Sequence, residues 1–187
     1  MSAMIRTLFA GLCLSLPLTS GVLAADAPAI NACELLSAAE ITSAIGVSVT
    51  EGRRRDDGRQ ADGSYSSACL WMIQARPPAD PRARRFVILN VMQWPEGRDM
   101  SRRYLQAFRD SAEQGVIPSK PSPRKFGDES LWWGDGLAVR KGDVSFGVSV
   151  FMPDAPSNQP VRTSVLEEKL VPIILRKVER RAAANAI

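Results

Sequence analysis

The chain of 187 residues contains no histidine. That absence removes Ser-His-Asp and Cys-His nucleophile systems, the common zinc ligand sets and the usual general base at neutral pH. Carboxylate, lysine or tyrosine chemistry is left, and each needs a buried, perturbed group in a cleft that composition does not reveal. Charge of one sign is also in short supply. The 24 basic and 20 acidic residues leave a formal net charge of +4. So small a surplus, interspersed with acids, speaks for ordinary solubility and against nucleic-acid binding.

Long hydrophobic runs are missing as well. The opening "MSAMIRTLFAGLCLSLPLTSGVLAADAP" has one early positive charge, Arg6, then an apolar stretch too short and too interrupted by Pro17 and Gly21 for a membrane span. Val22-Leu23-Ala24 fits the small-residue pattern before a cleavage site, so residues 1–24 read as a signal peptide and 25–187 as a single domain. After cleavage no integral membrane span is expected. Cys13 follows Leu12 and lies too early for a lipid-attachment site.

Of the three cysteines, cleavage removes Cys13 and leaves Cys33 and Cys69 in a compartment where thiols oxidise. They are expected to pair. Closing a loop of about 37 residues restrains the unfolded chain by roughly 4 kcal/mol in the chain-entropy model. A reactive cysteine fits poorly, because close CxxC spacing and a histidine to generate the thiolate are both lacking.

The pattern of what is present predicts an α+β fold. "CELLSAAEITSAIG" carries Ser37 as N-cap, Glu40 as its capping-box partner, Leu36 and Ile41 as a hydrophobic staple and Gly46 as the stop. Strands are expected at Val47 to Thr50 and Ala68 to Ala75, flanking a solvated loop whose Arg53, Arg54, Arg55 and Arg59, partly neutralised by Asp56, Asp57 and Asp62, have contact with an anionic envelope surface as their alternative reading. The proline-rich "RPPADPRARR" excludes a central strand, and "FVILNVMQW" after it, apolar on both faces, reads as one. A helix from Asp99 to Gln114 precedes three strands at Glu129 to Gly134, Leu137 to Lys141 and Val144 to Met152. A closing helix from Pro160 to about Arg181 carries a stripe from Val165 to Val178, kinked or interrupted by Pro172. The expected order is α-βββ-α-βββ-α, a mainly antiparallel sheet of about six strands with helices packed on it.

Asp128, Asp135 and Asp143 each sit beside a glycine, where turn chemistry accounts for them; the calcium-loop spacing is not matched, so no metal site is expected. In "ESLWWG" successive residues point to opposite faces of a strand. Trp133, sharing a face with Leu131, is expected to be buried. Trp132 is then on the outer or groove side, where it either packs under a loop or the C-terminal helix or, with Arg140 and Phe151 from neighbouring strands, forms the candidate binding surface.

These features resemble a family of uncharacterised extracytoplasmic domains found largely as bacterial envelope lipoproteins. The matching stretches are "CELLSAAEITSAIG", "CLWMI" and "FGDESLWW" leading to "LAVRKGD". The resemblance implies a Cys33–Cys69 disulfide and an envelope location, and it brings no catalytic residues; this chain departs from it in lacking the lipobox. The element order also looks like the PsbP-like architecture, an analogy of fold only. Together the features point to a periplasmic or secreted monomer without cofactor or catalytic residues, acting as a binding or protein-interaction module, inhibitor- or immunity-like. Its partner would be an envelope protein or cell-wall component. The alternative is a carrier holding a small apolar molecule or lipid between sheet and helices. An enzyme, the third class, would require a buried carboxylate pair.

Overall fold

The computed structural model describes residues 29–74, 85–95, 97, 100–118, 120–152 and 164–185. The expected signal peptide, residues 1–24, lies outside them. The chain opens with α1 (Ala32–Leu35) and α2 (Ala38–Ile45). The Ser37–Glu40 capping box closes the start of α2, and Gly46 ends it in the left-handed region at φ +75°.

A meander follows, β1 (Arg53–Arg59), β2 (Tyr65–Met72) and β3 (Phe86–Gln93), then α3 (Met100–Glu113). A second meander, β4 (Ser122–Arg124), β5 (Glu129–Trp132), β6 (Leu137–Lys141) and β7 (Val144–Phe151), precedes α4 (Val165–Asn185). All neighbours are antiparallel, in the order β1-β2-β3-β7-β6-β5-β4, so β3 and β7 join the two meanders into one sheet of seven strands.

The α+β class and the alternation of strands and helices follow the sequence pattern, but seven strands form where about six were expected, β4 being unforeseen, the opening helix is split into α1 and α2, and further elements differ. Val47 to Thr50 gives only a bridge, Val49 to Ile73. The arginine-rich stretch read as a loop is instead the edge strand β1. An edge strand needs backbone partners on one side only, and its charges discourage further pairing, so apolar alternation is not required of it. The opposite edge, β4, is three residues long and contains Pro123, which has no N–H to offer. At the closing helix, α4 runs unbroken through Pro172, an exposed residue whose unbonded i−4 carbonyl can take water, and Val165 is 54% exposed where the stripe was expected to begin.

One face of the sheet carries the main core. Cys69, Trp71, Val87, Leu89, Trp132, Leu137, Val139, Phe146 and Val148 pack there against Leu36, Ile41, Leu170, Val171 and Ile174 of the N- and C-terminal helical segments. Cys33 of α1 is bonded to Cys69 of β2, and Gly52 abuts the Cys69 sulfur and the Trp71 ring so closely that a Cβ would lie 2.6 Å from Sγ. Lys177 Nζ donates to Glu40 Oε2 at 2.7 Å, tying α2 to α4. Glu167, buried on α4, accepts the Val150 N–H at 2.9 Å, at a point on β7 past the last residue paired with β6.

Candidate functional site

The second face of the sheet is covered in part. On it α3 packs against β6 and β7, with Leu105, Leu131 and Ala138 as a small buried cluster edged by Tyr104, Phe108 and Trp133. Phe108 stacks on Trp133 with ring centroids 4.6 Å apart. Space for these rings comes from glycine: a Cβ on Gly136 would lie 2.3 Å from Trp133, and one on Gly147 would lie 2.8 Å from Tyr104 Oη. Burial of Tyr104 pushes its phenol pKa upward.

Beyond α3 the same face continues over β7, β3, β2 and β1. Directly opposed residues in antiparallel strands point the same way, so the register fixes what this region displays. Met72, Phe86 and Phe151 make one row across three strands; Arg53, Leu70, Ile88 and Ser149 make the next; Arg55, Ala68, Asn90 and Gly147 the third. Leu70, Met72, Phe86 and Ile88 are only partly buried, and Phe151 is 39% exposed and stacked on Phe86 at 5.3 Å. Arg53 and Arg55 are exposed along the β1 side. Asp56, by contrast, turns to the covered face and pairs with Arg54.

The three residues expected to form a binding surface do not converge. Trp132 is 7% exposed and belongs to the main core, while Trp133 takes the half-buried position under α3. Alternation places the two tryptophans on opposite faces as expected. Trp133 is the less buried of the two, and Trp132 shares the main core with the C-terminal helix, the second of its two expected placements, because the face carrying it is the one covered by α1, α2 and α4. Arg140 lies opposite Ser145, at the other end of β7 from Phe151, which puts about 20 Å of strand between them. Its side chain is tied instead to Asp128 at 3.3 Å and Glu129 at 3.7 Å.

Around Asp128 the charges are structural. Its Oδ2 accepts the Gly142 N–H at 2.7 Å, and Lys141 Nζ lies 3.5 Å away and also 3.3 Å from Glu179. Partial burial pushes the Asp128 pKa up, but the Gly142 amide and the two cations outweigh it and hold the carboxyl below its ordinary value. The turn between β6 and β7 is thereby fixed to the start of β5. Among the described residues no cluster of three or more candidate metal ligands occurs. A groove of about 400 Å³ beside the end of α3 is lined by Arg109, Ala112, Glu113, Ile117 and Lys120, with Arg109 held by Glu129 at 2.5 Å.

Of this surface, Phe151 is among the candidates read from the sequence and Arg53 and Arg55 among the arginines of the expected loop, whereas Leu70, Met72, Phe86 and Ile88 were not singled out, although a signal existed. "FVILNVMQW" and "ACLWMI" are apolar on both faces, and the second face was read as buried when helix cover ends short of it. No helix among the described residues is long and apolar enough to cross a membrane. No family model, curated protein or solved structure matches the chain, so the site stands on its own geometry.

Proposed function

We propose that this protein is a non-catalytic binding module of the cell envelope, engaging a protein partner through the open half of its second sheet face. The observation that carries the reading is the Met72–Phe86–Phe151 row, continued by Leu70 and Ile88: apolar side chains on a rigid sheet, partly exposed where the cover of α3 ends. A contiguous apolar patch left partly open to solvent is the kind of surface that marks an interaction site. The Cys33–Cys69 disulfide and the leader-like first 24 residues support a periplasmic or secreted location, in keeping with the resemblance to extracytoplasmic domains. A carrier would need a cavity under the helices, and that interior is occupied by Trp71, Leu89, Phe146, Leu170 and Ile174, all fully buried.

The test uses the protein isolated from its native compartment. Leu70→Ser with Phe151→Ser makes the surface polar without touching the covered core. Proteins that co-purify with the wild type should be lost from this variant at unchanged thermal stability. An identical set of co-purifying proteins would rule the surface out.

A further inference from the structure

We infer that the element this surface receives is an amphipathic α-helix of the partner, acidic along the flank that faces β1. The inference rests on the binding reading above and adds the shape and charge of what binds. The relevant geometry is the step made by α3. A helix packed on a sheet stands about 10 Å above it, so α3 forms a wall beside the apolar rows. A flat surface, such as a lipid bilayer, would be held off by that wall before it reached Leu70 or Ile88. A second helix has the same height and would lie level with α3.

The floor has matching dimensions. Gly147 of β7 lies under Tyr104 and Trp133, so the floor is β3, β2 and β1, spanning about 10 Å, widened by about 5 Å at the Phe151 end of β7, room for one helix of about 10 Å diameter. Along the strands, the apolar residues run from the Met72–Phe86–Phe151 row to Ala68, about 13 Å, or between two and three helical turns. An incoming helix would therefore present apolar residues at i, i+3, i+4 and i+7, the pattern of helix-in-groove recognition.

Charge sets the orientation. The outer boundary of the floor is β1, where Arg53 and Arg55 flank Leu70 and Ala68 on this same face. Asp57, 61% exposed, lies 3.8 Å from Arg55, a separation that leaves the guanidinium largely solvated. The neighbouring acid, Asp56, is spent on Arg54 on the covered face. Carboxylates on the near flank of the helix would meet both arginines, whereas lysines there would meet like charge.

The probe is a pair of synthetic amphipathic peptides of about 18 residues with the same leucine stripe, one flanked by glutamates and the other by lysines. Each is titrated into the ¹⁵N-labelled full chain and followed by amide chemical shifts. The glutamate peptide should move resonances of β1, β2, β3 and the end of β7, and bind about fivefold or more tightly than the lysine peptide. Arg53→Glu with Arg55→Glu, both exposed and outside the core, should reverse that preference. Equal binding of the two peptides, shifts confined to the groove beside α3, or no shifts at millimolar peptide would each overturn the inference. Arginine-dependent binding to phosphatidylglycerol vesicles with neither peptide bound would overturn it too, in favour of a lipid surface. If the peptides fail while co-purification still depends on Leu70 and Phe151, the helix is wrong and the binding surface stands.

Discussion

Phe108 of α3 and Trp133, the residue after β5, stack at 4.6 Å, and the indole rests where Gly136 and Gly147 have no side chains. This contact positions the wall of the proposed site. A methyl at Gly136 would meet both Trp133 and Ser149 Oγ at 2.3 Å, so Gly136→Ala must displace the ring. Overpacking of this kind costs about 1–3 kcal/mol. The expected result is a lower denaturation midpoint with altered tryptophan fluorescence. An unshifted midpoint would show that α3 does not depend on the seat.

The two tryptophans give a contrast between adjacent residues at the end of β5. Trp132 lies opposite Leu137 and belongs to the main core with Val139, Phe146 and Val148, so Trp132→Ala should cost about 3–5 kcal/mol. Trp133→Ala removes a half-buried ring and should cost distinctly less, while loosening α3. Urea denaturation of the two variants measures the difference, and equal losses would contradict the packing described.

These cases mark how far the sequence could be read. Capping signals are local, so Ser37, Glu40 and Gly46 announced α2 without knowledge of the rest of the chain. The alternation in Val144 to Phe151 gave β7 for the same reason. Which side of the sheet receives which helices is a non-local property, and on it the burial of Trp132 against Trp133 depends. β1 escaped because edge pairing is a backbone affair: "RRRDDGR" shows no apolar period to find. The candidate surface was hidden by the same ambiguity, since a strand apolar on both faces looks alike whether one or both faces are covered.

The disulfide joins α1 to β2 across 36 residues, with Cys69 fully buried. Cys33→Ser with Cys69→Ser should destabilise the fold by roughly 2–5 kcal/mol and lower its melting midpoint by about 5–15 °C. Calorimetry of the oxidised protein with and without reductant gives the same comparison without mutation. Coincident curves, with reduction verified by thiol titration, would mean that the bridge adds nothing to stability.

Acid should weaken the fold through Glu40 and Asp128. For Glu40 burial raises the pKa, but hydrogen bonds from Lys177 and from Ser37 outweigh it, leaving the group below its ordinary value as for Asp128. A carboxyl with a depressed folded pKa contributes stability above its unfolded pKa and loses it as pH falls through the folded one. Stability should therefore decline below about pH 4, with Glu40→Gln and Asp128→Asn each flattening the decline. Both groups are partly exposed, so each contributes about 1 kcal/mol or less. Denaturation midpoints measured from pH 6 down to pH 2.5 should converge for wild type and variants at the acid end; parallel curves would assign the acid loss to other carboxylates.

Glu167 offers the sharpest separation between structural and chemical roles for a buried carboxylate. It is 1% exposed, and the Val150 N–H it accepts belongs to β7 where β6 no longer runs alongside. The side chain thus takes over a position that a neighbouring strand would fill. Glu167→Ala leaves that amide without this acceptor and opens space at the start of α4, so a loss of about 1–3 kcal/mol is expected. Glu167→Gln keeps an oxygen in the same place and should recover most of it. If the amide variant were as unstable as the alanine variant, the negative charge itself would be what the site requires. A wild-type-like glutamine variant instead assigns Glu167 to holding α4 against the sheet.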